Sequence, residues 1–302
     1  MRLGVDLGGT KIAAAVLNDD GRVVWERRAA TPRHDYDGTL AAIAGLVAAA
    51  EAELAVTCSV GLGIPGAISP ATGLIKNANS TWLNGRALQA DLERALSRPV
   101  RLANDANCLA VSESVDGAAA GAEVVFGVIL GTGTGGGIVV KGTLVTGANA
   151  IGGEWGHNPL PWPDDDERPG PACYCGRHGC IETFLSGPGL AADYARRGGE
   201  PTTSEVVVRR AAEGEPRAVE VFSVWQHRLA RSLATVINLL DPDVIVAGGG
   251  LSRIDTIYEA VPALWGRWVF SDRVDTRFVP ARHGDASGVR GAAWLNDRES
   301  KD

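Results

Sequence analysis

The sequence predicts an α/β protein made of two related domains, and three observations lead there. Its 302 residues exceed what one hydrophobic core usually serves, so two domains flanking a cleft are expected. Short apolar, strand-like runs are interspersed with stretches of helical spacing. A unit of strand, glycine turn and strand occurs twice, once at residues 3–17 and again at residues 124–140.

The elements follow in order. Residues 3–6 are apolar and end on a carboxylate, Gly8-Gly9 marks a turn, and residues 11–17 form the second strand. Asn18-Asp19-Asp20-Gly21 is a hairpin signal before a third strand at 23–28, which Pro32 ends. The Ala-rich stretch 40–54 is a helix that packs on this sheet. Residues 60–64 read as a buried strand running into the sharp turn Pro65-Gly66, and a strand should give way to a helix near Asn104. The second sheet starts near Val124, with strands at 124–130 and 138–140. A long amphipathic helix, about 218–240, ends at Asp241-Pro242-Asp243, and the strand 244–247 enters Gly248-Gly249-Gly250. A last helix near 289–296 packs back on the first domain, so the domains are expected at 1–116 plus 289–302 and at 117–288.

Composition narrows the function. At 45% apolar and 22% charged residues a sizeable core is feasible and disorder is not expected. The net charge of −7 disfavours a nucleic-acid partner. Pro65, Pro70 and several glycines break the longest uncharged run, and Met1-Arg2 leads straight into a strand, so neither a membrane helix nor a secretory signal is expected. The expected location is the cytoplasm, where disulfides are improbable and the Asn79-Ser80-Thr81 glycosylation pattern is a chance match.

Two glycine turns suit phosphate. Asp6-Leu7-Gly8-Gly9-Thr10-Lys11 lies in a tight strand–turn–strand, where residues without Cβ let backbone N–H groups approach anionic oxygens. Asp6 is placed to hold Mg²⁺ through water. Gly131-Thr132-Gly133-Thr134-Gly135 is the second such turn. Each is equally readable as a plain hairpin. Lys11 lacks the P-loop spacing, and no glycine motif followed by a helix and a distant acid is present, so a Rossmann dinucleotide site is excluded.

Asn104-Asp105 stands at a helix start, where it is either a simple N-cap or a functional pair. In the second reading Asp105 accepts a hydroxyl proton during phosphoryl transfer and Asn104 holds a sugar hydroxyl. Glu154, His157 and Glu182 offer further polar groups, although either Glu alone reads as a surface charge.

Cys173, Cys175 and Cys180 fall within eight residues, with zinc-knuckle spacing and glycines at 176 and 179. The fourth ligand is His157 or His178. Three thiolates and one imidazole close the tetrahedron, so the zinc is structural. The alternative is free thiols in a loop, prone to oxidation. Cys58 and Cys108 read as core residues, and His34, His227 and His283 as surface.

Together these residues resemble the ROK family (repressors, open-reading-frame proteins and sugar kinases) of the hexokinase/Hsp70/actin superfamily. The resemblance covers essentially the whole chain. It rests on Gly156-His157 followed by Cys-x-Cys-Gly-x-x-Gly-Cys-x-Glu at 173–182, on Asp6-x-Gly-Gly-Thr-Lys and on Gly131-Thr-Gly-x-Gly. It implies two actin-like (ribonuclease H-like) α/β domains with ATP in the cleft, gripped by Gly8, Gly9, Thr10, Lys11, Gly131, Thr132 and Gly133, with adenosine near Gly248, Gly249 and Gly250. It makes Asp105 the base and assigns His157, Cys173, Cys175 and Cys180 to zinc. It places Asn79, Asn104, Asp105, Glu154, His157 and Glu182 around the sugar, the second ring nitrogen of His157 on a sugar hydroxyl.

Residues 76–84 and 154–162 look closest to bacterial fructokinases of the mannokinase-like branch, which implies ATP, Mg²⁺ and fructose as reactants and the 6-hydroxyl as acceptor. Other hexoses or an N-acetylated hexosamine remain as alternatives, because a few hydrogen bonds decide among them. A sugar-responsive regulator of the same family needs a DNA-binding domain ahead of Asp6, which the sequence leaves no room for. The family also implies a homodimer. One departure is the fifteen-residue Pro/Asp-rich loop between His157 and Cys173, longer than in many relatives, which is expected to bulge outward.

Overall fold

The structure, a computed structural model, describes residues 1–297; residues 298–302 of the expected segment 289–302 lie outside the described residues. Up to residue 121 the elements are β1 (Arg2–Leu7), β2 (Lys11–Leu17), β3 (Val23–Ala30), α1 (Tyr36–Leu54), β4 (Ser59–Ile64), β5 (Ala67–Ile68), β6 (Ile75–Lys76), α2 (Leu88–Leu96), β7 (Val100–Asn104) and α3 (Asp105–Val115). Then come β8 (Val124–Leu130), β9 (Thr134–Val140), β10 (Thr143–Leu144), α4 (Ile181–Leu185), α5 (Gly187–Arg196), α6 (Ser204–Ala212) and α7 (Pro216–Leu240). The chain ends with β11 (Val244–Gly248), α8 (Ile257–Trp265), β12 (Arg277–Pro280) and α9 (Ser287–Trp294). The α/β architecture is as expected.

One sheet has the order β3-β2-β1-β4-β7, the other β10-β9-β8-β11-β12. In the first, β1, β2 and β3 pair antiparallel, while β1, β4 and β7 run parallel. In the second, β8, β11 and β12 run parallel. The chain clusters into one unit of residues 1–121, 137–153 and 285 onward, and another of 122–136 and 154–284. Residues 137–153 and 117–121 thus group with the first unit, not with 117–288.

Caps explain where helices begin earlier than hydrophobic spacing indicates. The Asp35 carboxylate accepts from the Gly38 N–H at 2.9 Å, so α1 starts at Tyr36 rather than at 40. Glu215 caps α7 on the Ala218 N–H with Pro216 at its first position, so that helix starts two residues before 218. In the first unit, Leu3, Val5, Ile12, Ile43 and Leu62 are fully buried between the sheet and α1. Helix α9 packs on β1, β4 and α3. That approach needs Gly61: a Cβ there would fall 1.8 Å from the Ala292 carbonyl oxygen. In the second unit, Trp225, Leu229 and Leu233 on α7 are fully buried with Trp265 of α8. No described helix is long and apolar enough to cross a membrane.

Candidate active site

In the first unit, the candidate residues lie just beyond the C-terminal ends of three parallel strands, where α/β sheets bind ligands. Asp6 is near the end of β1, Gly66 follows β4, and Asn104 ends β7. The Asp6 carboxylate lies beside Gly63, Cys108 and Gly288. Burial raises its pKa, against the opposing charge of Lys11. The fully buried Cys108 thiol is pushed well up by burial, and then by the charges of Asp6 and Asp105.

The first glycine turn is held by its own sheet. Gly8 N donates to the Lys11 carbonyl at 3.0 Å, and Thr31, just past β3, donates its hydroxyl to the Gly8 carbonyl at 2.8 Å and its N–H to Thr10 at 3.1 Å. Gly9, Thr10 and Lys11 are exposed at its tip.

Asn104 and Asp105 combine both sequence readings. The Asn104 side chain caps α3 by accepting from the Ala106 N–H at 2.9 Å, and its amide donates to the Gly66 carbonyl at 3.2 Å. One amide hydrogen therefore remains for a ligand. Asp105 opens the helix, exposed, with Oδ1 2.8 Å from the same N–H. Asn79 is exposed on a loop that Asn84 closes by two hydrogen bonds to the Ala78 backbone, both 2.9 Å. The sequence quoted Asn84 only as part of a similar segment; its bracing role was not foreseen.

A cavity of about 80 Å³ opens next to Asn104. Its walls are mainly apolar, with Ile64, Ile68, Leu102 and Ala150 among them. Asn107 and Thr146 also line it, and the buried Oδ1 of Asn107 has no hydrogen-bond partner.

In the second unit, Gly131-Thr132-Gly133 follows β8 and Gly249-Gly250 follows the parallel β11. The two segments adjoin, since a Cβ on Gly131 would lie 3.9 Å from the Gly249 Cα. Gly249 has φ +87°, and a side chain there would meet the Leu130 carbonyl at 2.5 Å. Thr134 N donates to Glu182 Oε2 at 2.9 Å, so this carboxylate braces the second turn. That role was not foreseen either.

The knuckle comes together as a group of four. The Nδ1 of His157 and the three Sγ atoms of Cys173, Cys175 and Cys180 all lie within 4.8 Å of one another. Cys173 Sγ is 3.5 Å from His157 Nδ1, and Cys175 Sγ is 3.6 Å from Cys180 Sγ. Ligands bound at zinc distances sit about 3.8 Å apart at tetrahedral corners, so the set fits a structural zinc. His178 is exposed and outside the group, which resolves the choice of imidazole. Burial pushes the Cys180 thiol up to about 12, while the Arg177 N–H first among several causes lowers Cys175 to about 7.

The resemblance gives the Nε2 of His157 to a sugar hydroxyl; here it lies 3.0 Å from the Tyr174 hydroxyl, and the rings meet edge to face. Tyr174 went unremarked because only the flanking cysteines carry the motif. Its ring is largely exposed, yet burial at the hydroxyl end, then the charges of Glu182 and Glu154, push it up to about 12.

The loop between His157 and Cys173, expected to bulge outward, is largely exposed but anchored through one buried side chain. Glu167 is 4% exposed and accepts from Arg228 Nε at 2.7 Å and from Arg231; Arg228 also donates to Asp193 at 2.5 Å. Distant residues of α5 and α7 supply these partners, so hydrophobicity along the loop gives no sign of it.

The family described as ROK matches residues 2–299 of this chain. The chain belongs to the ROK family. It is 41% identical over 300 residues to the N-acetyl-D-glucosamine kinases of Pectobacterium atrosepticum and Vibrio cholerae, covering 98% of this chain and 99% of theirs. Its fold matches the ROK hexokinase of Thermus thermophilus with a TM-score of 0.86 at 33% identity, covering 97% and 96% of the two chains. It also matches a ROK glucokinase of Streptomyces griseus, solved with glucose and AMPPNP, with a TM-score of 0.79 at 30% identity over 97% and 98%. This ROK protein is an ATP-dependent sugar kinase on the hexokinase-like fold. The two 41%-identical relatives carry N-acetyl-D-glucosamine in their names rather than fructose.

Proposed function

We propose that this ROK kinase transfers the γ-phosphoryl group of ATP to the 6-hydroxyl of an N-acetylated hexosamine, N-acetylglucosamine foremost. The observation that carries this reading is the cavity beside Asn104. An acetamido group presents a methyl for Ile64, Ile68 and Leu102, and an N–H and a carbonyl for the Asn107 amide. Fructose, the acceptor implied by the sequence resemblance, has no group to fill that space. The names of the 41%-identical relatives support the same choice.

In this reading Asp105 takes the proton from the attacking hydroxyl, while Asn79, Asn104, Glu154 and Glu182 hold the sugar. Asp6 holds Mg²⁺ through water, which supplies positive charge to the polyphosphate. Gly8, Gly9, Thr10, Lys11 and Gly131-Thr132-Gly133 present backbone N–H groups to the phosphates, with Gly249 and Gly250 beside the nucleoside. His157, Cys173, Cys175 and Cys180 hold a structural zinc, whose chemistry is to fix the loop that carries them. A homodimer, implied by the family, is the proposed solution state, checked by light scattering.

The test is kcat/KM for N-acetylglucosamine, N-acetylmannosamine, glucose, mannose and fructose, with coupled ADP detection. Filling an apolar subsite is worth about 1–3 kcal/mol, so N-acetylglucosamine should lead glucose by roughly 10–200-fold. A lead for fructose would remove the cavity argument and restore the fructokinase reading.

A further inference from the structure

The knuckle and the second glycine turn form one packed piece. Thr134, closing the turn, donates its N–H to Glu182 Oε2 at 2.9 Å, and a Cβ on Gly133 would come 2.7 Å from the same oxygen. Glu182 stands two residues after the cysteine ligand Cys180, in the first turn of α4. Gly131 O accepts from Gly187 N at 2.8 Å, so the other end of the turn is tied to the start of α5. From the other side, Gly156, immediately before the ligand His157, lies flat on the turn, where a Cβ would meet the Thr134 carbonyl at 1.8 Å. Trp155 is buried and packs edge to face on Phe126 of β8, the strand that delivers the turn. The two arms of the knuckle are joined to each other as well: Ile181 N donates to Asn158 O at 2.9 Å and Leu160 N to Gly179 O at 2.8 Å.

The geometry points to a second role for the knuckle: its metal sets the conformation of the phosphate turn, through Glu182 and Gly156, and so governs nucleotide affinity when no sugar is bound. A zinc held by His157 and Cys180 fixes the residues on either side of Thr134. Loss of the ion frees both arms together, and the turn loses the brace that its own strands do not supply. Glu182 is then a positioning residue for the nucleotide in addition to any contact with sugar. This inference rests on the reading of residues 131–135 as a phosphate turn.

The experiment is calorimetric titration with ADP and Mg²⁺, without sugar, on the zinc-loaded and chelator-stripped full chain, for the wild type and for Glu182→Ala. Losing a charge-assisted brace should weaken ADP binding by about ten-fold on stripping the wild type. Zinc-loaded Glu182→Ala should show a loss of similar size, and stripping it should add little. Unchanged ADP affinity in a stripped wild type that keeps its circular dichroism overturns the coupling. So does an undiminished effect of stripping in the variant.

Should stripping unfold the chain, hydrogen exchange on zinc-loaded protein decides. Without nucleotide, amides of residues 131–136 should exchange faster in Glu182→Ala than in the wild type, and equal rates overturn the proposal. The underlying reading fails separately, if ADP gives those amides no protection in the wild type.

Discussion

The two glycine turns repeat one unit of strand, turn and strand but are held in place differently. At Gly8–Lys11 the brace is the sheet itself: Thr31, just past the neighbouring strand, bonds to Gly8 and Thr10. At Gly131–Thr134 the brace is a carboxylate from another element, Glu182, together with the backbone of Gly156. Sheet hydrogen bonds form as the strands pair, whereas the second brace comes from an element that follows the cysteine loop. The same local motif can therefore be held by its own sheet in one place and by a distant side chain in another, and the proposed metal dependence applies only to the second.

The largest expected effect sharpens the chemical side of this comparison. Asp105 stands in the unit whose turn is self-braced, so its contribution should be independent of zinc. Asp105→Asn is expected to lower kcat by about 10²–10⁴-fold with sugar binding retained, measured by single-turnover kinetics and calorimetry. Retained turnover removes the base assignment.

The next effect probes the remote support of the knuckle. Glu167→Gln takes from Arg228 and Arg231, both nearly inaccessible, the buried carboxylate they share, leaving Arg228 with Asp193 and Arg231 with the exposed Asp164 at 3.6 Å. Breaking a buried pair in this way is expected to reduce unfolding free energy by about 3–5 kcal/mol, seen in urea denaturation. Burial would raise the Glu167 carboxyl, but Arg231 and Arg228 hold it below the ordinary range. Its stabilising contribution is therefore present at neutral pH and is lost as pH falls through that lowered value. The variant and wild-type stabilities should converge in acid, and parallel curves down to that range would count against the pair.

Thr31→Ala tests the other turn. It removes the hydroxyl bond to Gly8 while the backbone bond remains, so about 1 kcal/mol of stability and a few-fold rise in the KM for ATP are expected. The rise should be the same with and without zinc, and a zinc-dependent rise would dissolve the distinction between the turns.

The smallest effect has the opposite sign. Asp6 is desolvated, which raises its pKa despite Lys11. A carboxylate raised by folding lowers stability above its unfolded pKa and is neutral below it. Asp6→Asn should raise Tm by a few degrees at pH 7 and leave it unchanged near about pH 3, and, if Asp6 has its proposed role, turnover falls. A lower Tm at pH 7 would mean that the carboxylate is better satisfied than its surroundings indicate.

Much of this was legible in the sequence because it is local. The three strands around Gly8, the long helix ending at Asp241, the strand-to-helix change at Asn104 and the cysteine spacing all follow from patterns within twenty-five residues. Helices α2, α4, α5, α6 and α8 were not foreseen; α4 is five residues long, and the other four, at nine or ten, are barely longer than two turns. Tyr174 was hidden between two more conspicuous cysteines. The acetamido-sized cavity draws its walls from residues 64–68, 102–107 and 146–150, which no periodicity connects.

By itself the sequence determined which residue types are offered for chemistry and which strands and turns present them, because side-chain type, glycine and short-range spacing act within one element. Only the tertiary structure decided which imidazole joins the three thiolates, that Nε2 of His157 meets Tyr174, that Glu167 anchors its loop to α7, and that Glu182 holds the second turn. Each of these is a contact between groups 16 to 64 residues apart along the chain, fixed by how helices and sheets pack around buried apolar surface, and no local pattern encodes it.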